Sequence, residues 1–448
     1  MNKLAQRLLE NIKKRNVTIC VVGLGHVGIT TALFLSNVGF NVKGIDINVE
    51  LVEKLNQGIL PFPEKDLSKL LIQNLHKNLE IFSKFENIDS VQIGFVCVET
   101  PIYPDLTPNL SSFESAVKSL KMKLETGSLL INESTIPPGT SHLLKEILES
   151  KNIFILGENL WLAYCPERIY PGNIFQEYIH LDRAIGGYDE VSNQLASELF
   201  SKFIKGQLII TSFQVAEIVK LAENTFRNVN IAFANELALI CEKFNVNVRN
   251  VIELANYHPR VNIHTPGCGV GGHCIPKDPL LLISKFQNSD YSPNLIKQAI
   301  KINTEMPKIT VQKVLEIYKY YNLKINENPI AILGITYKGD SEDTRNSPAK
   351  HIIAGLLKNG FKIKSYDPFT SENFNSQKML TIKDAIKDVK CILIVTDHSE
   401  FKKMNLNEIR GIMKEDPILF DAKGIFKKDQ VTKFNFLYFA IGDFELLK

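Results

Sequence analysis

The 448-residue chain has almost no charge imbalance: 52 basic and 49 acidic side chains leave a formal +3. So small an excess argues against a dedicated nucleic-acid or membrane-surface protein, and leaves any anionic ligand to local clusters. No uncharged apolar run approaches the ~20 residues that span a bilayer. The opening MNKLAQRLLENIKKRN lacks a continuous apolar stretch and a cleavage site, so it does not read as a secretory signal. Its Leu4, Leu8, Leu9 and Ile12 share one helical stripe, which predicts a short amphipathic helix packed on the first domain. None of the seven cysteines (20, 97, 165, 241, 268, 274 and 391) makes a CxxC pair. Odd in number and scattered, they suit reduced thiols of a cytoplasmic protein, mostly small core residues, rather than a disulfide framework. Short repeats and low-complexity segments are missing too, and 44% hydrophobic residues exclude wholesale disorder. The length exceeds one core and predicts two or three domains.

What is present is alternation. Val17–Gly23, Asn41–Asp46, Ile93–Val98, Leu129–Asn132 and Leu160–Tyr164 read as strands, with a helix over Ile29–Val38. This order predicts a parallel, doubly wound sheet. From Phe213 to Phe244 there is neither Gly nor Pro, and apolar residues recur at helical spacing. A helix of about thirty residues is too long for a crossover and reads as a spine between domains. Strand signals return at Ile330–Gly334, Phe361–Asp367, Lys390–Thr396 and Ile418–Asp421, and Ser347-Pro348 opens a helix with a cap and an N1 proline. The predicted fold class is α/β: two Rossmann-like doubly wound domains, 1–211 and 317–448, joined by a central helical domain, 212–316.

Gly23-Leu24-Gly25-His26-Val27-Gly28 is a GxGxxG that follows a strand and opens a helix, with Asp46 ending the next strand. Gly23 makes the tight turn, Gly25 admits a pyrophosphate to the backbone, and Gly28 allows close helix–strand packing. The helix N-terminus favours the phosphates. Asp46 would accept ribose hydroxyls and repel a 2′-phosphate, which selects NAD over NADP. The later IAILGITYKGDSEDTRNSP keeps Gly334 but not the triplet, so a second NAD is not expected there. Lys338 and Arg345 in that loop suit a nucleotide phosphate, or equally serve as solvated loop charges.

The segment RVNIHTPGCGVGGHCIPKDP, residues 260–279, crowds four glycines into six positions ahead of Cys274. Little bulk surrounds that thiol, and the flanking His273, Lys277 and Asp278 suit an activated nucleophile better than an inert loop cysteine. A metal bound by Cys268, His273 and Cys274 is disfavoured, because adjacent His-Cys is poor chelate geometry and no second ligand pair follows. A cysteine beside NAD implies two oxidations in one pocket: alcohol to aldehyde, capture as a thiohemiacetal, oxidation to a thioester, and hydrolysis. Lys220 and Asn224, at i, i+4, share a face of the long helix. They suit proton transfer and oxyanion stabilisation, or equally an exposed polar face.

These motifs, VVGLGHVG, VAEIVKLAENTFRN, CPERIYPGN, HPRVNIHTPGCGVGGHCIPKDP and YKGDSEDTRNSP, resemble those of the UDP-glucose/UDP-N-acetylmannosamine dehydrogenase family over nearly the whole chain. The resemblance implies an N-acetylhexosamine branch: NAD-dependent four-electron oxidation at C6 of a UDP-N-acetylhexosamine, foremost UDP-N-acetyl-D-mannosamine, for polysaccharide synthesis. Its sisters act on UDP-N-acetylglucosamine or UDP-N-acetylgalactosamine. By resemblance Cys274 is the nucleophile and Lys220 the acid/base. Asn224 and Asp278 hold the oxyanion and water, and Glu167 turns toward that water. Thr135 meets nicotinamide or ordered water, and Thr100 joins Gly23, Gly25, His26, Val27, Gly28 and Asp46 around the dinucleotide. Arg168, Ile169, Arg227, His258, Arg260, Gly271, Tyr337, Lys338 and Arg345 contact the UDP-sugar, with Arg260 reaching into the partner's site of a homodimer. Departures from the family pattern are Glu99 for proline, Leu51 for an arginine near adenine, Cys268 for proline and Lys277 for valine. A two-electron β-hydroxyacid dehydrogenase also joins a Rossmann domain to a helix with this Lys and Asn, but needs neither Cys274 nor residues 329–448.

Overall fold

A computed structural model describes residues 1–445 except 63, 104, 170–172 and 287–288. The chain forms two compact units: Met1–Glu223 with Leu280–Ser284, and Asn224–Pro279 with Lys285–Lys448.

The first unit opens with α1 (Lys3–Lys14), which buries Leu8, Leu9 and Ile12 and is capped by the Asn2 side chain. An eight-stranded sheet follows: β1 (Thr18–Val22), β2 (Asn41–Ile45), β3 (Leu79–Phe82), β4 (Val91–Val96), β5 (Leu124–Asn132), β6 (Leu160–Tyr164), β7 (Arg183–Gly187) and β8 (Leu208–Ser212). Their spatial order is β3-β2-β1-β4-β5-β6-β7-β8. Strands β1 and β6 are nearly continuous apolar runs because both faces are covered, as a parallel sheet requires. α2 (His26–Asn37), α3 (Ser111–Lys121) and α4 (Thr140–Glu149) are among those covering helices.

One edge departs from the expected all-parallel sheet: β7 runs antiparallel to β6, and β8 follows β7. Among the described residues the β6–β7 connection holds the seven-residue helix Ile174–His180.

α5 (Phe213–Lys243) begins in the first unit and continues into the second, so the expected long helix is present. In the second unit come α6 (Cys274–Ile283), α7 (Asn294–Tyr320) and α8 (Pro348–Lys358), although the last turns of α6 group with the first unit. α7 was not legible in the sequence because Pro307 interrupts its pattern; the proline is buried and packs at Gly269. A six-stranded parallel sheet completes the unit: β9 (Ile330–Leu333), β10 (Ile363–Tyr366), β11 (Gln377–Lys378), β12 (Cys391–Ile394), β13 (Ile418–Asp421) and β14 (Leu437–Ala440). Its order is β11-β10-β9-β12-β13-β14. The helix at Ser347-Pro348 forms as expected, with the Ser347 hydroxyl accepting from the Ala349 N–H. No helix of the described residues is long and apolar enough to cross a membrane.

Candidate active site

In the first sheet, strand order reverses between β1 and β4, and a cavity of about 800 Å³ opens at their carboxyl ends. The three glycines there have distinct physical reasons. Gly23 sits at φ +89°, and a Cβ on it would come within 2.8 Å of the Cys97 carbonyl oxygen. At Gly28 a Cβ would lie 1.8 Å from the Gly23 carbonyl oxygen, so only hydrogen fits. A Cβ at Gly25 would meet nothing within 4 Å. That open space lies at the N-terminus of α2, where N–H groups and the helix dipole favour phosphate. Asp46 directly follows β2, and its Oδ2 accepts the Leu24 N–H at 2.8 Å, which orients the carboxylate at the cavity. His26 stacks on Phe62 with ring centroids 4.1 Å apart, and Val27 is half-buried in the same first turn. The helix N-terminus, the open space at Gly25 and the oriented carboxylate are the features a dinucleotide needs.

The cavity wall adds residues that the sequence reading missed. Ser111, Ser115 and Ser119 line it from α3 at i, i+4, i+8 spacing, a signal that was available in SSFESAVKS. Leu51 and Phe85 make its apolar side, and Ile47, 88% exposed, stands at the rim. The departing Glu99 also lines the cavity.

Thr100 and Thr135 are brought together: the buried Thr100 hydroxyl donates to the Thr135 carbonyl. Glu217, buried one turn before Lys220 on α5, accepts the N–H groups of Gly139 and Ser141, which ties this helix to the loop carrying Thr135. Lys220 itself is half-buried. Arg168 pairs with Glu223 at 2.6 Å and donates to the Asp182 carbonyl, while Ile169 is half-buried. The CPERIYPG motif is described up to Ile169; its residues 170–172 lie outside the described residues. Glu167 is buried, pairs with Arg183, and accepts the N–H groups of Arg168 and Ile169.

In the second unit, Asn224 is buried and donates to Asp278 Oδ2 at 2.6 Å, so this position is not an exposed helix face. Asn228 donates to the Ile275 carbonyl and fastens α5 to the start of α6. Cys274 opens α6, where the helix dipole favours developing negative charge. It is the one exposed cysteine among the described residues. Burial pushes the Cys268 thiol up to about 11 and Cys20 to about 12. Cys97 is held well above the ordinary thiol range by burial and by Glu133.

The glycines ahead of Cys274 accommodate Tyr337. A Cβ at Gly271 would approach the Tyr337 Cβ to 2.4 Å, and one at Gly272 would reach its ring at 2.7 Å. The Gly272 N–H donates to the Arg345 carbonyl, and Asn346 donates back to the Gly272 carbonyl. The cysteine loop and the loop bearing Tyr337, Lys338 and Arg345 are thus stitched together. Arg345 is half-exposed and forks onto Asp343 through Nε and Nη2 at 2.7–3.1 Å. Asp367 Oδ2 accepts the Ile335 and Thr336 N–H groups and faces His398 Nε2 at 3.0 Å. Burial raises its pKa, but these bonds prevail and hold it at about 2.

His258 and Arg260 are exposed, and the Arg260 N–H donates to His258 Nδ1. Arg260 lines a groove of about 730 Å³ with Phe226 and Phe233 of α5 and Leu295 of α7. Arg227 is exposed, and burial together with its charge keeps the nearby His264 below the usual imidazole range. Among the described residues no group of three or more His, Cys, Asp or Glu side chains gathers as a metal site would.

A phosphate-admitting glycine turn, an acid ending the next strand and a second nucleotide-type sheet define the class as NAD-dependent oxidoreductases. Family models agree: those of the UDP-glucose/GDP-mannose dehydrogenase family match as NAD binding domain over 17–204, central domain over 214–305 and UDP binding domain over 331–428. The chain belongs to this family. It is 39% identical over 426 residues to a UDP-N-acetyl-D-mannosamine dehydrogenase of Pyrococcus horikoshii, covering 95% of this chain and 99% of the relative. It is 40% identical over 442 residues to one of Methanococcus aeolicus, covering 97% and 98%. A solved structure of the Pyrococcus horikoshii enzyme superposes with a TM-score of 0.89 at 38% identity, covering 96% of this chain and all of that one.

Proposed function

We propose that this protein oxidises the C6 alcohol of UDP-N-acetyl-D-mannosamine to the carboxylate, with two hydride transfers per sugar. The observation that carries the reading is Cys274, exposed at the head of α6 in a glycine loop stitched to the Tyr337 loop of the UDP binding domain. Relatives named for this substrate, aligned over nearly the whole chain, support it.

Two NAD molecules bound in turn would each accept one hydride, held by the Gly23–Gly28 turn, Asp46, Thr100 and Thr135, with the first NADH leaving before the second NAD binds. Lys220 takes the alcohol proton in the first step. The Cys274 thiolate then adds to the aldehyde carbon, giving a thiohemiacetal whose oxyanion the Asn224 amide stabilises. Loss of hydride from that adduct leaves a thioester. Water attacks the thioester carbonyl, with Asp278 holding the water, and Cys274 departs as thiolate. Arg168, Ile169, Arg227, His258, Gly271, Tyr337, Lys338 and Arg345 hold the UDP-sugar.

The helical segment 212–316 serves dimerisation, with a second copy covering the apolar groove beside Arg260 so that this arginine completes the partner's site. The reaction belongs to polysaccharide synthesis in the cytoplasm. UDP-N-acetylgalactosamine is the second reading, favoured by a relative in Ralstonia solanacearum named NDP-N-acetyl-D-galactosaminuronic acid dehydrogenase, 32% identical over 427 residues. NADH release against a panel of UDP-sugars tests the proposal. Two NADH per UDP-N-acetyl-D-mannosamine is expected; one NADH with aldehyde accumulating would exclude the mechanism, and preference for another sugar the substrate.

A further inference from the structure

Three ionic side chains meet in the interior of the first unit. Arg183 begins β7, Glu133 directly follows β5, and Glu167 lies three residues after β6. The guanidinium contacts Glu133 Oε1 through Nη1 at 3.4 Å and pairs through Nη2 with Glu167 Oε2, and all three side chains are at most 5% exposed. It also lies over the Tyr178 ring, 4.4 Å from its centroid. Glu167 spends its other oxygen on the backbone of Arg168 and Ile169, at 2.7 and 3.0 Å. Glu133 spends its own on the Thr31 hydroxyl at 2.7 Å and the Cys97 thiol at 3.3 Å.

Each tie reaches something the reaction uses. Cys97 lines the dinucleotide cavity and backs Gly23 and Gly28. Thr31 lies on α2, the helix that opens at the phosphate turn. Thr135 stands two residues beyond Glu133, and Arg168 and Ile169 follow Glu167.

We propose that Arg183 and Glu133 are a positioning pair for hydride transfer. The guanidinium, shared by two carboxylates, fixes the Cys97 wall and the Thr135 strand end through Glu133, and the Arg168–Ile169 turn through Glu167. This rests on NAD-dependent dehydrogenation but not on which sugar is oxidised.

One cation serves two buried carboxylates, so the cluster is neutral only when one of them carries a proton. Glu133 is that group: burial pushes it up to about 7, with Arg183 pulling it down and Glu167 pushing it up. Cys97, Cys165 and Tyr178 also face the cluster, and all three are held in their neutral forms chiefly by burial. The cluster therefore goes from neutral to a single negative charge as pH rises through neutrality.

The test uses the full-length enzyme with Glu133→Gln and the double variant Arg183→Met/Glu133→Gln. Readouts are the thermal transition of the unliganded chain, NADH affinity by fluorescence titration from pH 6 to 8.5, and the split between kcat and sugar KM. Wild-type NADH affinity should vary about threefold or more across that range, and Glu133→Gln should flatten it. The double variant leaves the buried Glu167 without its cation, so its thermal transition should fall; where it folds, kcat should drop about tenfold or more at nearly unchanged sugar KM. Wild-type kcat in a folded double variant would overturn the proposal. If that variant does not fold, Glu133→Gln decides: NADH affinity with the wild-type pH profile would overturn the proposal equally. A wild-type enzyme that binds NADH but oxidises no UDP-sugar would sink the substrate reading and leave the NADH test intact.

Discussion

The side-chain amide of Asn224 donates to Asp278 Oδ2 across 2.6 Å, and both side chains are buried. A neutral donor on α5 and a carboxylate on α6 thus form one unit, which ties the helix opened by Cys274 to the long helix. The donor offsets burial of the carboxylate, which would otherwise cost several kcal/mol.

Asp278→Asn keeps the shape and one hydrogen bond but removes the charge. Turnover should fall by about 10²–10⁴, the usual range for losing a positioned base, while sugar KM changes little. Steady-state kinetics with circular dichroism as a folding control checks this; wild-type kcat would remove Asp278 from the chemistry.

Gly25→Ala and Gly28→Ala should fail differently. The first places its methyl in open space, so the unliganded chain should melt as wild type while NADH binds about tenfold or more weakly. The second places it 1.8 Å from the Gly23 carbonyl oxygen and should lower the melting temperature itself. Melting curves with and without NADH separate the two; equal melting of both apo variants would refute the assignment.

Asp367→Asn tests the UDP binding domain through pH. Asp367 titrates at about 2 in the folded chain against an ordinary 3.8, so its stabilisation is complete above the ordinary value and lost as pH falls toward 2. The melting-temperature gap between wild type and variant should therefore stay constant from pH 8 to about 4 and narrow only below. A gap that closes between pH 8 and 6 would rule out Asp367 as the titrating charge.

How far the sequence carried these conclusions differs by element. The glycine triplet, Asp46, the capped helix at Ser347 and the strand at Ile418–Asp421 were legible because local chemistry dictates them. α7 was hidden by Pro307, and β7 by its reversal at the sheet edge, which leaves no local mark. The Arg183 cluster was likewise invisible: residues 133, 167 and 183 meet only through the order of β5, β6 and β7. Tyr337 explains the glycines at 271 and 272, yet it lies 65 residues beyond Gly272 in the chain. The second nucleotide-type turn matches the first more closely than its sequence implied. Asp367 accepts the Ile335 N–H as Asp46 accepts the Leu24 N–H, but Thr336 and His398 share the second carboxylate.

The distribution of the thiols has a practical consequence. Burial keeps Cys20, Cys97, Cys165, Cys241, Cys268 and Cys391 protonated, whereas Cys274 stands exposed at a helix head. A soft electrophile such as iodoacetamide, applied to the folded protein near neutral pH, should therefore alkylate about one thiol per chain. Peptide mapping by mass spectrometry should find the label on Cys274, with bound UDP-sugar slowing its appearance. On the proposed mechanism that thiol is an active-site titrant: incorporated label, divided by protein, would count the fraction of a preparation that is competent.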